Sequence, residues 1–202
     1  CADTVFTQMA AEVTGITEDK VNVLSTQDTD VSPFDTGAYA SRQTYVSGMA
    51  VKKTGAIFKE KILDYAAYML EKPQDTLDVR DNHIVDKETG TQLLPMEELA
   101  TTAFYSLDRS VHITAEATSH CKTNTFATGV CFAEVEVDMP LGKVKVTNIV
   151  NVHDSGKLIN PKLAAAQVHG GMSMGLGYGL SEQLLFDAKG RPLNDNLLDY
   201  KL

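Results

Sequence analysis

Residues 130–146 have the sequence VCFAEVEVDMPLGKVKV. Apolar and polar side chains alternate from Val130 to Val137, which is the period of a β-strand with two unlike faces. Met139-Pro140-Leu141-Gly142 supplies turn residues, and the alternation resumes at Lys143-Val144-Lys145-Val146. The stretch therefore predicts an antiparallel hairpin.

The same alternation in His112–Ala117 predicts another strand, so strands are expected from residue 112 onward. Before that point the hydrophobic spacing is helical. A first helix, which Gly15 is placed to end, is predicted by a row of apolar residues at helical spacing. That row consists of Val5, Phe6, Met9, Ala10 and Val13.

The longest predicted helix covers residues 45–72, and Pro73 blocks its continuation. Its apolar face is predicted to consist of Ile57, Leu63, Ala66, Ala67 and Leu70. Helices are also predicted to begin at Pro95, with acidic residues in the first turn, and at Asn160-Pro161, the latter ending near Val168.

Shorter elements complete the pattern. Leu77-Asp78-Val79 and His83-Ile84-Val85 predict a small hairpin around Arg80-Asp81-Asn82. Val21–Leu24 predicts a short buried strand, and a polar loop is expected over Ser25–Gly37. Because helices and strands interleave without a regular βαβ rhythm, the sequence predicts an α+β fold with mixed helices and antiparallel strands.

The composition limits the classes of partner. The 202 residues carry 18 Lys and Arg against 27 Asp and Glu, a net charge of −9. This acidic balance argues against a nucleic-acid or anionic-membrane surface, which needs clustered basic residues. No apolar run approaches the roughly 18 residues of a membrane span, and no signal peptide is recognised. Three cysteines without a CxxC pair favour a reducing cytoplasm.

Both ends of the sequence resemble cuts through a longer polypeptide. The chain does not begin with Met, and Leu197–Leu202 is an apolar stretch without capping or turn residues. A functional site could therefore be only partly contained in these residues.

A first candidate site lies at Pro33–Thr44, with the sequence PFDTGAYASRQT. Small residues, hydroxyls, Arg42 and Gln43 precede the long helix, and backbone N–H groups at a helix start favour an anion or phosphate. The forked guanidinium of Arg42 suits phosphate or a heteroaromatic carbonyl. An ordinary loop before a capped helix is the alternative. The Gly-Lys-Ser/Thr of a P-loop is absent.

A second candidate site lies at Gln167–Gly179, with the sequence QVHGGMSMGLGYG. Five glycines fall within residues 170–179, and glycine costs roughly 0.5–1 kcal/mol relative to alanine inside a helix. Close approach of another helix or of a flat ligand would explain them. The spacing is not that of a dinucleotide-binding turn.

Other polar groups do not form a recognisable site. The five histidines are scattered and form no metal-ligand pattern, so no metal ligand is predicted. His153-Asp154-Ser155 could belong to a catalytic triad, but no GxSxG motif accompanies it. Glu134 and Glu136 share one strand face and are expected to be solvated.

Several motifs taken together resemble one family. Asp35–Gln43, Asp154-Ser155-Gly156-Lys157-Leu158-Ile159-Asn160-Pro161 and Gln167–Gly171 resemble, in this order, segments of the molybdenum-binding subunit of the xanthine dehydrogenase family, the molybdenum hydroxylases. Ala2-Asp3-Thr4-Val5 resembles the stretch after that family's Gly-Gln-Gly segment. The resemblance covers essentially the whole chain, and it implies that residues 1–202 are part of a molybdopterin-binding domain, one lobe of that region.

The resemblance also implies a chemistry. In this family a molybdenum centre on a pterin dithiolene inserts oxygen from water into a C–H bond of a heteroaromatic ring or an aldehyde. Electrons leave through [2Fe–2S] clusters to FAD on partner subunits or domains. By the resemblance, Ala40, Ser41, Arg42 and Gln43 contact the pterin or line the pocket beside molybdenum, and Gln167 hydrogen-bonds the pterin.

The family's catalytic Glu has no counterpart in these 202 residues, so no catalytic residue is predicted and the chain alone is expected to be inactive. A purine such as xanthine or hypoxanthine is the expected substrate of the whole enzyme. Aldehydes and other N-heterocycles are alternatives, and so is a non-catalytic cofactor-binding module. The cytosine dinucleotide is a candidate form of the cofactor. The expected partners are the rest of the molybdenum subunit, an iron–sulfur subunit and an FAD subunit.

Overall fold

In a computed structural model, the protein is described over residues 2–25, 28–30 and 34–202. The chain divides into two compact units, Cys1–Asn124 and Thr125–Leu202, called unit 1 and unit 2 below. The described residues of unit 1 form helices and a three-stranded antiparallel sheet, and those of unit 2 form a two-stranded antiparallel hairpin and a helix. The predicted α+β class is therefore confirmed.

The elements follow one another in a simple order. Unit 1 contains α1 (Ala2–Thr14), α2 (Gly48–Leu70), β1 (Leu77–Arg80), β2 (His83–Asp86), β3 (Gln92–Pro95) and α3 (Met96–Tyr105). A π-helix, Gln43–Ser47, precedes α2, and short 3₁₀ turns lie at Glu18–Lys20 and Gln74–Thr76. Unit 2 contains β4 (Thr128–Asp138), β5 (Lys143–Asp154) and α4 (Pro161–Leu180). None of these helices has the length and hydropathy needed to cross a membrane.

The core of unit 1 lies between the second half of α2, the sheet and α3. Ile62, Tyr65 and Ala66 are at most 2% exposed. They pack with Leu77, Val79, Ile84, Leu94, Leu99 and Ala103. The predicted apolar face was partly wrong, because Ile57 is 37% exposed. Five residues separate Ile57 from Ile62, and at 3.6 residues per turn they lie roughly 140° apart around the helix, so Ile57 is off the face that contains Ile62.

The glycine that ends α1 also packs on the sheet. Gly15 has a φ of +81°, and its N–H donates to the Ala11 carbonyl over 2.9 Å. A Cβ at this position would overlap the carbonyl oxygen of Val79. Asn82 closes the same junction, because its Oδ1 accepts from the Thr17 N–H at 2.9 Å and its Nδ2 donates to Thr17 Oγ1 at 2.6 Å. Both features fix the end of α1 against β1.

The predicted hairpin of residues 77–85 is confirmed as β1 and β2. Its turn residues Asp81 and Asn82 have φ values of +47° and +61°, the left-handed pair that suits the twist of a two-residue hairpin. β3 adds to the other side of β2. α3 then begins after Pro95, as the sequence predicts.

Two predicted strands are wrong. Val21–Leu24 forms no strand and is not buried, since Leu24 is 92% exposed. His112–Ala117 alternates in burial but pairs with no strand among the described residues. It runs beside α2 instead, where Lys61 Nζ donates to the Thr114 carbonyl at 2.7 Å. Alternating hydrophobicity predicts which side chains are partly buried, but a β-strand also needs hydrogen bonds to the backbone of a neighbouring strand. Part of the predicted loop Ser25–Gly37 lies outside the described residues.

Unit 2 begins with the predicted hairpin. β4 and β5 pair from Thr128↔Asp154 to Asp138↔Lys143, with one irregularity at Glu134/Val135. The hairpin is therefore longer than the segment that alternates in the sequence. Every residue of β4 is exposed.

α4 begins as predicted, but it does not end near Val168. Asn160 Oδ1 accepts from the Leu163 N–H at 3.0 Å and caps the helix start. The helix then continues through the glycine-rich stretch to Leu180.

Replacing Gly15 tests the junction between α1 and β1. We expect Gly15→Ala to lower the free energy of unfolding by about 3 kcal/mol, because the new Cβ adds a steric overlap to the strain of positive φ. Gly90→Ala is the matched control: Gly90 has φ +71°, but the nearest atom to its Cβ position is Arg80 Nη1 at 3.8 Å. Its expected cost is about 1 kcal/mol. Urea denaturation measures both variants, and equal costs would contradict the proposed overlap.

Candidate functional site

The loop before α2 is closed by an ion pair. Arg42 Nη1 donates to Asp35 Oδ1 at 2.9 Å and to the Gly37 carbonyl at 2.8 Å. Asp35 Oδ1 also accepts from the Gly37 N–H at 2.6 Å. The Arg42 guanidinium lies over the Tyr39 ring, 5.4 Å from its centroid. These contacts join both ends of the eight-residue segment 35–42.

The turn itself has an uncommon backbone. Ala40 and Ser41 have φ values of +50° and +57°, and left-handed backbone costs a non-glycine residue roughly 1–2 kcal/mol. The Arg42 N–H donates to the Tyr39 carbonyl at 3.1 Å, which closes the turn. Non-glycine residues hold such conformations when their surroundings impose them, and they are frequent at functional sites.

The helix that follows does not begin as a regular α-helix. Gln43 opens the five-residue π-helix, and α2 begins only at Gly48. Ala40 and Ser41 are exposed, while Arg42 and Gln43 are half-buried. A single-turn π segment widens the helix and often marks a functional position. The four predicted residues therefore lie together at the start of the α2 segment.

The charge of Asp35 is stabilised by its neighbours. The hydrogen bond from the Gly37 N–H, followed by that from Arg42, lowers the pKa of the Asp35 carboxyl below its ordinary value. Asp35 therefore stays ionised to lower pH than a free aspartate does. The sequence contains both charges seven residues apart, but the interpretation of Arg42 as a free phosphate ligand missed this pairing.

Gln167 lies in unit 2, on α4, and is exposed. Along the same helix no neighbouring heavy atom of the described residues lies within 4 Å of the Cβ positions of Gly170, Gly171, Gly175 and Gly179. Of the two explanations for the glycines, close packing of another helix has no support at these four positions among the described residues of unit 2. α4 presents bare backbone at these glycines, next to a side chain that can both donate and accept hydrogen bonds.

The motif at residues 154–161 forms the connection between β5 and α4. Asp154 Oδ1 accepts from the N–H of Gly156 at 2.8 Å, and Gly156 has a φ of +71°. Asn160 then caps α4, as described above. This motif is therefore a structural connection that fixes where the helix with Gln167 begins.

A second feature of unit 2 was missed in the sequence. The Tyr200 hydroxyl donates to Glu182 Oε2 at 2.8 Å. Glu182 lies at the end of α4, beside an open groove of about 410 Å³ that Ser173, Met174, Gly177 and Leu202 also line. Eighteen residues separate the two partners, so local patterning gives no signal for the pair.

No metal site is built from protein side chains in the described ranges. Within residues 2–25, 28–30 and 34–202, no three His, Cys, Asp or Glu side chains are grouped so that they could hold a metal ion. The uncharged side-chain donors at the candidate positions are instead the Ser41 hydroxyl and the Gln43 amide in unit 1 and the Gln167 amide in unit 2. These neutral groups suit the hydrogen-bonding edge of an organic ligand.

Comparison with known proteins identifies the family. Residues 1–202 match the molybdopterin cofactor-binding domain family, and the chain belongs to it. It is 47% identical to the putative xanthine dehydrogenase molybdenum-binding subunit XdhA of Escherichia coli K12, over 100% of this chain and 27% of that protein. The chain thus spans about a quarter of the length of this relative.

Solved structures show the same fold. The Cu,Mo-CO dehydrogenase in its carbon monoxide reduced state superposes with a TM-score of 0.79 at 26% identity, over 98% of this chain and 25% of that one. Quinoline 2-oxidoreductase from Pseudomonas putida 86 superposes with a TM-score of 0.84 at 24% identity, over 99% and 26%. The latter similarity concerns the fold alone.

Replacing Glu182 tests the Tyr200 pair. The hydrogen bond to Glu182, partial burial and the negative charge of Glu182 raise the pKa of Tyr200 above its ordinary value. We expect Glu182→Gln to bring this pKa back toward that value, since the phenolate then forms without a neighbouring carboxylate. Titration followed by NMR of ¹³C-labelled tyrosine rings measures it. Glu136→Gln on β4 is the control, and an unchanged Tyr200 pKa in Glu182→Gln would contradict the pair.

Proposed function

We propose that this chain is part of the molybdenum subunit of a molybdenum hydroxylase. Ala40, Ser41, Arg42 and Gln43 contact molybdopterin or line the pocket beside molybdenum, and Gln167 hydrogen-bonds the pterin. The observation that carries the proposal is the family match, which extends over residues 1–202 and so includes every candidate position. We further propose that residues 1–202 act as one partial molybdopterin-binding domain.

The local geometry supports contact with a pterin. A pterin is a flat ring with an amide-like edge, so it needs paired donors and acceptors together with an unobstructed face. Gln43 and Gln167 each carry both a donor and an acceptor. The bare glycines of α4 leave backbone accessible to a flat group. The residues present therefore fit the cofactor.

The bound cofactor would supply the oxidation–reduction chemistry, and the chain's own residues would bind and orient it. Ser41 and Gln43 would hold one part of it through hydrogen bonds from the turn before α2. Gln167 would hold another part from α4. No residue of this chain is proposed as the catalytic base, so these 202 residues alone are expected to be inactive.

The whole enzyme is proposed to hydroxylate a purine. The support is the 47% identity to a protein described as a xanthine dehydrogenase subunit. Oxidation of another N-heterocycle is the second candidate, because a nicotine 6-hydroxylase large subunit is also a relative, at 27% identity. We propose [2Fe–2S] and FAD partner subunits, a cytosine dinucleotide form of the cofactor and a cytoplasmic location.

Cofactor content tests the proposal directly. In holoenzyme purified anaerobically from its native cells, we expect about one molybdenum and one pterin per chain. Gln43→Ala or Gln167→Ala should each weaken retention about tenfold, as the loss of one good hydrogen bond would. Metal analysis and fluorescence of the oxidised pterin measure both quantities.

Matched controls are available in each unit. Gln92→Ala removes an exposed amide from β3, and Gln183→Ala removes one just after α4. Both variants should retain the cofactor as the wild type does. Wild-type enzyme purified without molybdenum and pterin, from cells that load other molybdoenzymes, would refute the proposed function.

A further inference from the structure

Arg42 is held within its own loop and does not project from it. One nitrogen, Nη1, donates both to Asp35 Oδ1 and to the Gly37 carbonyl, at 2.9 and 2.8 Å. The guanidinium carbon lies over the ring of Tyr39. The Arg42 side chain is only 22% exposed. A guanidinium held in this way braces the backbone around it.

We propose that Asp35 is a positioning residue for the cofactor site and acts through Arg42 on the turn at Ala40 and Ser41. The inference rests on the proposed function, because it takes this turn as a contact surface for the cofactor. It assigns to Arg42 a role in shaping the site, in place of direct capture of a phosphate.

The strained backbone at Ala40 and Ser41 needs contacts such as those of Arg42 to hold its conformation. Ala40 and Ser41 are both left-handed, and neither is glycine. Without outside contacts, this pair of residues would relax to the more common right-handed or extended regions. The Asp35–Arg42 ion pair joins the residues on either side of the strained pair, and charge-assisted hydrogen bonds of this kind are stronger than neutral ones.

The geometry also predicts how the two charges are coupled. Asp35 Oδ1 accepts hydrogen bonds from both the Gly37 N–H and Arg42 Nη1, so one oxygen orders the start and the end of the loop. Removing either charge takes away the same charge-assisted hydrogen bond. The effects of the two single substitutions should therefore not add, as is typical of residues within one network.

The experiment is a double-mutant cycle in the holoenzyme, with Asp35→Asn, Arg42→Gln and the double variant. Two quantities are measured: pterin and molybdenum retained after dialysis, and hydrogen–deuterium exchange of the backbone over residues 36–44. We expect each single variant to retain about tenfold less cofactor and to exchange faster over this segment, with the double variant no worse than either single. Asp35→Glu, which keeps the charge, should restore part of the retention.

Asp86→Asn is the matched control. The Asp86 carboxylate also orders a loop of unit 1, by accepting from Glu88 and Thr89, and its pKa is likewise lowered, first by the Thr89 backbone N–H. Its loss should leave the exchange of residues 36–44 and cofactor retention unchanged. A general loss of stability would instead affect both quantities in this variant too, and that result would overturn the inference.

The remaining outcomes separate the inference from the proposed function. Cofactor loss in Arg42→Gln with full retention in Asp35→Asn would show that Arg42 binds the cofactor directly, and would overturn the positioning role. Full retention and unchanged exchange in Asp35→Asn would overturn it as well. Wild-type enzyme that is purified from its native cells and contains no pterin would overturn the proposed function itself, together with the cofactor role given to Asp35.

Discussion

Tyr65 occupies the centre of unit 1, and its hydroxyl constrains the elements around it. The side chain is 1% exposed, and the hydroxyl donates toward the carbonyl oxygens of Arg109 at 3.1 Å and Thr102 at 3.4 Å. One residue of α2 thereby joins α3 and the segment that follows it. An unpaired buried hydroxyl costs about 1–3 kcal/mol, so α2 is fixed by polar contacts as well as by apolar packing.

The candidate turn is attached to the opposite end of this same helix. The π-helix Gln43–Ser47 continues directly into α2, and Val46, only 5% exposed, anchors it. The exposed candidate loop is therefore attached to a helix whose second half packs in the core of unit 1. Loops positioned by a rigid scaffold are where binding residues are commonly found.

The sequence predicted those elements whose signals are local. The β1–β2 hairpin followed from Asp81-Asn82 between two apolar runs, and α2 from its helical period. The strand predicted at His112–Ala117 was wrong, because alternating hydrophobicity does not show whether another strand lies near enough to pair with it. The candidate positions Ala40–Gln43 and Gln167 were predicted from a family resemblance. The Asp35–Arg42 ion pair could not be predicted in that way, because it forms only when the loop folds back on itself. α4 continues past its predicted end because glycine lowers helix propensity without forbidding the helix.

The bonds between Asn82 and Thr17 have a consequence for the order of folding. These two residues are 65 positions apart in the chain. Closing so long a loop costs entropy that a few hydrogen bonds repay only in part. The hairpin turn that carries Asn82 and the helix α1 are both local structures that can form early. The junction between them is therefore expected to form late in folding, when α1 docks onto the sheet.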